Sequence, residues 1–125
     1  MKDHNNQKIL FIYNADSGMA NALLDYGKKY IAPSKYDCRL CMLSYGPFGM
    51  KKDWKNFTND IPYPVMFLHK DELQSQYPNS TLALPAIVLS NNGIVEQVLL
   101  SSRDFQQITS LDQLKRALSQ KLASL

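Results

Sequence analysis

Leu84-Pro85-Ala86-Ile87-Val88-Leu89, then Ser90-Asn91-Asn92-Gly93, then Ile94-Val95-Glu96-Gln97-Val98-Leu99-Leu100 is the stretch that decides the fold. Two apolar runs rich in β-branched residues flank Asn91-Asn92-Gly93. Asn and Gly accept the positive φ that a tight hairpin turn demands. The segment therefore predicts an antiparallel hairpin. A doubly wound sheet of the flavodoxin type would continue here with further βα units, and the hairpin argues against it.

Working outward, the N-terminal half alternates strands and helices. Ile9-Leu10-Phe11-Ile12-Tyr13 is short and continuously apolar, as expected of a central strand buried on both faces. Asn14-Ala15-Asp16-Ser17-Gly18 breaks it, and Asp16 and Ser17 are good N-cap residues. A helix is predicted from there to Ala32, with Met19, Leu23, Tyr26 and Tyr30 on one stripe, until Pro33 stops it. A second strand is predicted within Cys38 to Tyr45, where Met42, Leu43 and Tyr45 supply the apolar content. Gly46-Pro47 reads as a turn, with Pro47 tolerated in the first turn of a helix on which Met50, Trp54, Phe57 and Ile61 fall at helical spacing. Pro62 and Pro64 limit the start of a strand at Val65-Met66-Phe67-Leu68, and a short helix from Asp71 to Tyr77 is closed by Pro78.

After the hairpin, Ser110 with Gln113 reads as a capping box for a last helix carrying Leu111, Leu114, Leu118, Leu122 and Leu125. The order is β-α-β-α-β, a short helix, then β-β-α. This is an α/β domain over residues 1–125, with residues 1–7 expected to be flexible and a central mixed sheet of about five strands between flanking helices.

A chain of 125 residues buries a core without covalent staples, so its two cysteines are not needed to hold it together. The net charge of +3 is spread over Lys28, Lys29, Lys51, Lys52, Lys55, Lys115, Arg116 and Lys121. A nucleic-acid binder concentrates such charge in a stripe interleaved with exposed aromatics, so no nucleic-acid partner is expected. The polar first residues contain no signal sequence, and no apolar run has the length of a membrane span. The expected compartment is the cytoplasm, with no membrane partner. Thiols there stay reduced, which leaves redox activity, metal binding or a spectator role for the CxxC. Lys70-Asp71-Glu72-Leu73 copies a retention signal that is read only at a C-terminus.

The element order resembles the thioredoxin-like fold over nearly the whole chain, and Leu84-Pro85 at the start of the hairpin is its strongest marker. The resemblance implies a cis Pro85 facing the N-terminus of the first helix. Tyr13-Asn14-Ala15-Asp16-Ser17-Gly18, Cys38-Arg39-Leu40-Cys41 and Tyr45-Gly46-Pro47-Phe48-Gly49-Met50 are similar to segments of an uncharacterised family of small bacterial thioredoxin-like proteins. One departure matters. Thioredoxins keep their CxxC where a strand meets the following helix, whose N-terminus makes the thiolate available. Here that junction reads Asn14-Ala15-Asp16-Ser17-Gly18 and holds no cysteine.

Two readings of function follow. The preferred one is a binding module for a small molecule or an extended peptide. Asn14, Asp16 and Ser17 offer polar groups at the carboxyl end of a strand, where α/β folds bind ligands, and Leu84-Pro85 offers a backbone edge opposite. The alternative is an atypical thiol–disulfide oxidoreductase or redox sensor using Cys38 and Cys41. On an extended strand that spacing puts Cα atoms ~10 Å apart on opposite faces, whereas a disulfide needs roughly 7 Å or less; a turn or helix start would serve. No metal is expected, since His4 and His69 stand at no ligand spacing from the cysteines, and His69 reads as a surface residue at a strand end. No cofactor is implied: neither Asn14–Gly18 nor Gly46-Pro47-Phe48-Gly49 has a phosphate loop's lysine and glycine spacing, and Trp54 with Phe57 reads as core.

Overall fold

The computed structural model of the chain describes residues 6–15, 39–46 and 49–125, and the apolar run Ile9–Ile12 lies at its centre. In chain order the elements are β1 (Gln7–Ile12), α1 (Arg39–Ser44), β2 (Tyr45–Gly46), β3 (Gly49–Met50), α2 (Lys52–Asn59), β4 (Val65–Leu68), α3 (Lys70–Gln76), β5 (Ala86–Asn91), β6 (Ile94–Leu100), α4 (Ser102–Gln106) and α5 (Leu111–Ala123). Four of the strands make one mixed sheet in the order β4-β1-β5-β6, and β2 and β3 form a separate two-stranded ribbon. β1 runs parallel to β4 and antiparallel to β5, so the hairpin β5–β6 shares the sheet with β1.

The period of two in β1 sorts its side chains into two cores. Ile9 and Phe11 face one cluster with Ile87, Leu89, Leu40, Trp54, Phe105, Leu114 and Leu118. Leu10 and Ile12 face another with Val88, Ala86, Leu68 and Leu73. The registers agree on both sides: Phe11 pairs with Phe67 and with Ile87, Ile12 with Leu68 and with Ala86. Ile9, Leu10, Phe11 and Ile12 are each 0% exposed, which is why the run carries no polar residue. The Trp54 ring meets Phe11 edge-on at 5.4 Å and stacks on Phe57 at 5.5 Å, so these aromatics are core. Among the described residues, no helix is long and apolar enough to cross a membrane.

The hairpin turn takes the expected form. Asn92 and Gly93 have φ of 57° and 79°, the signs of a primed two-residue turn. β6 carries two register shifts against β5. Leu99 is the extra residue between the pairs Val88–Val98 and Ile87–Leu100, and this bulge is how Leu99 and Leu100 both reach the core.

Several expectations need correction. The segment predicted to hold the second strand, within Cys38 to Tyr45, is helical from Arg39 to Ser44, and among the described residues the main sheet has four strands where about five were expected. Its burial explains why: Leu40, Cys41 and Ser44 lie on one helical face, and the Ser44 hydroxyl donates to the Leu40 carbonyl at 2.6 Å. The run Leu40-Cys41-Met42-Leu43 has no β-branched residue, and Leu and Met are good helix formers. Met50 pairs with Tyr45 in the ribbon and does not open the next helix, which begins at Lys52. Gln7 belongs to β1 and pairs with Asn91, while the Asn6 carbonyl accepts the Asn92 N–H at 3.1 Å; the flexible segment expected over 1–7 therefore does not include them. Met1–Asn5 and the helix expected from Asp16 to Ala32 lie outside the described residues.

Helix α4 is an element that the hydrophobic pattern did not announce. Ser101 and Asp104 cap it reciprocally, the Ser101 N–H reaching the Asp104 carboxylate at 2.9 Å and the Asp104 N–H reaching the Ser101 hydroxyl at 3.2 Å. At α5 only half of the expected box forms. Ser110 accepts the Gln113 N–H at 3.1 Å, but the Gln113 side chain accepts the Thr109 N–H at 2.7 Å.

Leu118 has no exposed surface, whereas Leu122 is only partly buried against the same cluster. Leu118→Ala is expected to cost about 2–5 kcal/mol in urea unfolding, and Leu122→Ala distinctly less. Equal costs would show that α5 is not anchored through Leu118.

Candidate functional site

Three chain segments meet at the carboxyl end of β1. Ile12 is level with Leu68 on one side and Ala86 on the other, so the adjoining residues Tyr13, His69 and Pro85 leave the sheet at the same end. Backbone hydrogen bonds hold two of the segments together: the Tyr13 N–H donates to the Leu68 carbonyl and the Lys70 N–H to the Ala15 carbonyl, at 2.9 and 2.8 Å. Asn14 is half-buried, as is Leu84, and Pro85 is buried. The Leu84–Pro85 peptide bond is cis. Of the five ligand-binding residues named from sequence, Asn14, Leu84 and Pro85 are brought to one end of the sheet, and Asp16 and Ser17 lie outside the described residues.

His69 belongs to this end and is not the surface residue that its sequence position suggested. Its side chain is 20% exposed, and its ring centroid lies 5.5 Å from that of Tyr13. Nδ1 stands 2.8 Å from the Glu72 Oε1, and the same oxygen accepts the His69 backbone N–H at 2.8 Å. The Glu72 carboxylate thus holds the His69 N–H at the start of α3, while the Glu72 N–H is taken by the Asp71 carboxylate at 3.1 Å. The backbone N–H first, and then the imidazole, hold the Glu72 carboxyl below its ordinary value. A carboxylate only accepts hydrogen bonds, so neutral His69 carries its proton on Nδ1 and presents a lone pair at Nε2. Nε2 is buried and has no hydrogen-bond partner among the described residues. The available signal was a glutamate three residues after the end of a strand, the spacing of a reciprocal cap. Tyr13 lies far away in sequence and could not be matched to it.

The second site read from sequence centres on Cys38 and Cys41. Cys41 sits in α1, is 4% exposed and is disulfide-bonded. The chain has one other cysteine, Cys38, which lies outside the described residues. The geometric objection to pairing came from the strand reading, and it lapses with the strand. Tyr45 directly follows α1, and its ring centroid lies 5.7 Å from that of Tyr13. Tyr13 is thus in ring contact with both His69 and Tyr45, and it shares a buried cluster with Ala15 and Cys41.

Other candidates separate from this end. Gly46 and Gly49 pair in the β2–β3 ribbon, Gly49 with φ of 102°, which makes them turn residues of a short hairpin. A groove of about 660 Å³ lies between residues 76–83 and the hairpin turn at Gly93–Val95, at the opposite end of β5 from Pro85. Among the described residues no three His, Cys, Asp or Glu side chains come together to hold a metal, and His4 lies outside them.

The lowered Glu72 carboxyl has a consequence for stability. A carboxylate depressed by folding contributes stability above the ordinary carboxylate range and loses it as pH falls through its own lower value. Glu72→Gln is expected to remove that part of the acid sensitivity, so thermal midpoints of variant and wild type should converge from about pH 5 downwards. A constant gap across the range would mean that the cap works without the charge. No family model matches this chain, and neither a curated protein nor a solved structure matches it.

Proposed function

We propose that this chain is a thioredoxin-like domain that exchanges disulfides through Cys38 and Cys41. The observation that carries the reading is the state of Cys41, a buried, disulfide-bonded residue on a helix where sequence alone suggested a strand. The finer fold reading is supported by the parallel pair β1–β4, the antiparallel hairpin on the other side of β1, and the closing helix α5. In the exchange, the thiolate of a substrate dithiol attacks the disulfide. One S–S bond breaks as a mixed disulfide forms, and the second substrate thiol completes the transfer. The substrate is oxidised to a disulfide and the two cysteines are reduced to thiols. Cys41, being buried, suits the internal thiol, which leaves Cys38 to meet the partner. The cysteines stand one segment away from the thioredoxin position, so this is an atypical member of the type.

The second reading is the binding module for a small molecule or an extended peptide, favoured by the meeting of Asn14 with Leu84-Pro85 at one end of the sheet. The two are compatible, since an exchange partner must also be held. Equilibration in glutathione buffers, with the free thiols trapped by alkylation and counted by mass, separates them. Disulfide exchange predicts a midpoint between about −270 and −120 mV. A disulfide that stays intact below about −300 mV is structural, and in that case replacing both cysteines by serine should leave ligand binding unchanged.

A further inference from the structure

We propose that Asn92 is a site of self-modification: the Gly93 nitrogen attacks the Asn92 side chain, ammonia is lost, and the hairpin turn ages to a mixture of aspartate and isoaspartate. The cysteines take no part, so the proposal stands apart from the exchange reading. Asn92 and Gly93 are both exposed. Among the described residues no hydrogen bond engages the Asn92 side-chain amide or the Gly93 N–H. Gly93, with φ of 79°, has no atom beyond its chain neighbours within 4 Å of the place a Cβ would take, so nothing crowds the approach.

The contrast with other asparagines sharpens the assignment. After Asn59, the Asp60 N–H donates to the Phe57 carbonyl at 3.2 Å. After Asn79, the Ser80 N–H donates to the Tyr77 carbonyl at 3.0 Å. After Asn91, the Asn92 N–H donates to the Asn6 carbonyl at 3.1 Å. An occupied N–H must give up its hydrogen bond before its nitrogen can attack, and a side chain on the attacking residue restricts the backbone rotation that glycine allows. The turn is therefore selected twice, by its glycine and by its free N–H.

In the first step the Gly93 N–H loses its proton to solvent and the nitrogen bonds to the Asn92 Cγ. The Cγ–Nδ2 bond breaks, and ammonia leaves with a proton taken from solvent. Water then opens the resulting five-membered imide at either of its two carbonyls. Nothing is oxidised or reduced, and the balance is one water consumed and one ammonia released. Opening at Cγ leaves the α-linked backbone and an aspartate, and Asp-Gly suits the same primed turn. Opening at the backbone carbonyl routes the main chain through the former side-chain methylene, so a two-residue turn gains a backbone atom. That strains the Asn91–Ile94 pair closing the hairpin and the tie from Asn92 to Asn6. Both products also set a carboxylate beside a groove that includes Gly93, Ile94 and Val95 in its wall and has no charged residue in its lining.

The test incubates the full-length chain at physiological temperature in mildly alkaline buffer, folded and in urea, and maps its peptides by mass with fragmentation that tells the two isomers apart. In the folded chain Asn92 should convert at least about tenfold faster than Asn59, Asn79 and Asn91, roughly the factor that one hydrogen bond is worth. Urea should accelerate those three and change Asn92 little. The isoaspartate fraction, once separated, should show a lower thermal midpoint than fresh protein. Asn92→Asp should fold with the wild-type midpoint and lose the early release of ammonia. If Asn92 keeps its amide as long as Asn79 in the folded chain, or converts only in urea, the turn protects it and the proposal is wrong. Unchanged ammonia release from Asn92→Asp would overturn it equally, by placing the source elsewhere.

Discussion

Burial of β1 on both faces and hydrogen bonding along both edges is the constraint on which the structure depends. A strand in that position has no polar face, so its four consecutive buried residues must each find a packing partner, and its backbone must find a ladder on each side. The parallel ladder to β4 and the antiparallel ladder to β5 meet that demand together. Because the two registers both bring Ile12 level with the ends of its neighbours, they also bring Tyr13, His69 and Pro85 to one place. The candidate site follows from strand pairing, before any side-chain chemistry is considered.

Much of this was legible in the sequence, and the failures have physical causes. The hairpin was legible because Asn92-Gly93 carries its own conformational requirement and needs no tertiary information. β1 was legible because a short, continuous apolar run fits a doubly buried strand. The helix at Arg39–Ser44 was misread because a short apolar run without polar alternation fits a buried strand and a buried helix equally well. The missing β-branched residues were the available arbiter. In α4, Phe105 alone is buried, so no apolar periodicity could form, and only the Ser101–Asp104 cap marks the helix.

The site was less legible than the fold for the same kind of reason. Asn14 and Leu84-Pro85 could be paired in advance because a resemblance places them opposite one another. His69 could not be, since its setting depends on a ring contact with Tyr13 from the neighbouring strand and on a carboxylate held by its own backbone N–H. The cysteines were visible as a spacing but not as a geometry, and geometry decides whether CxxC is a bond or a coincidence. Tyr13 links the two places, because its ring packs against His69 and against Tyr45, the residue that follows the cysteine-bearing helix.

The bulges of β6 act beyond the core that they help to fill. A sheet edge is a template on which a second chain can add a strand, and a regular, apolar edge invites fibril growth. Among the described strands β6 lies at one edge, with Ile94 and Val98 exposed along it. Its two register shifts leave Glu96 and Leu99 out of the ladder and break the even spacing that a docking strand would need to match. At the other edge β4 is only four residues long and follows Pro64, which has no N–H to offer. Among the described strands both margins thus offer a docking strand an uneven or short ladder, and deleting the extra residues of β6 would restore the even spacing that such a strand could match.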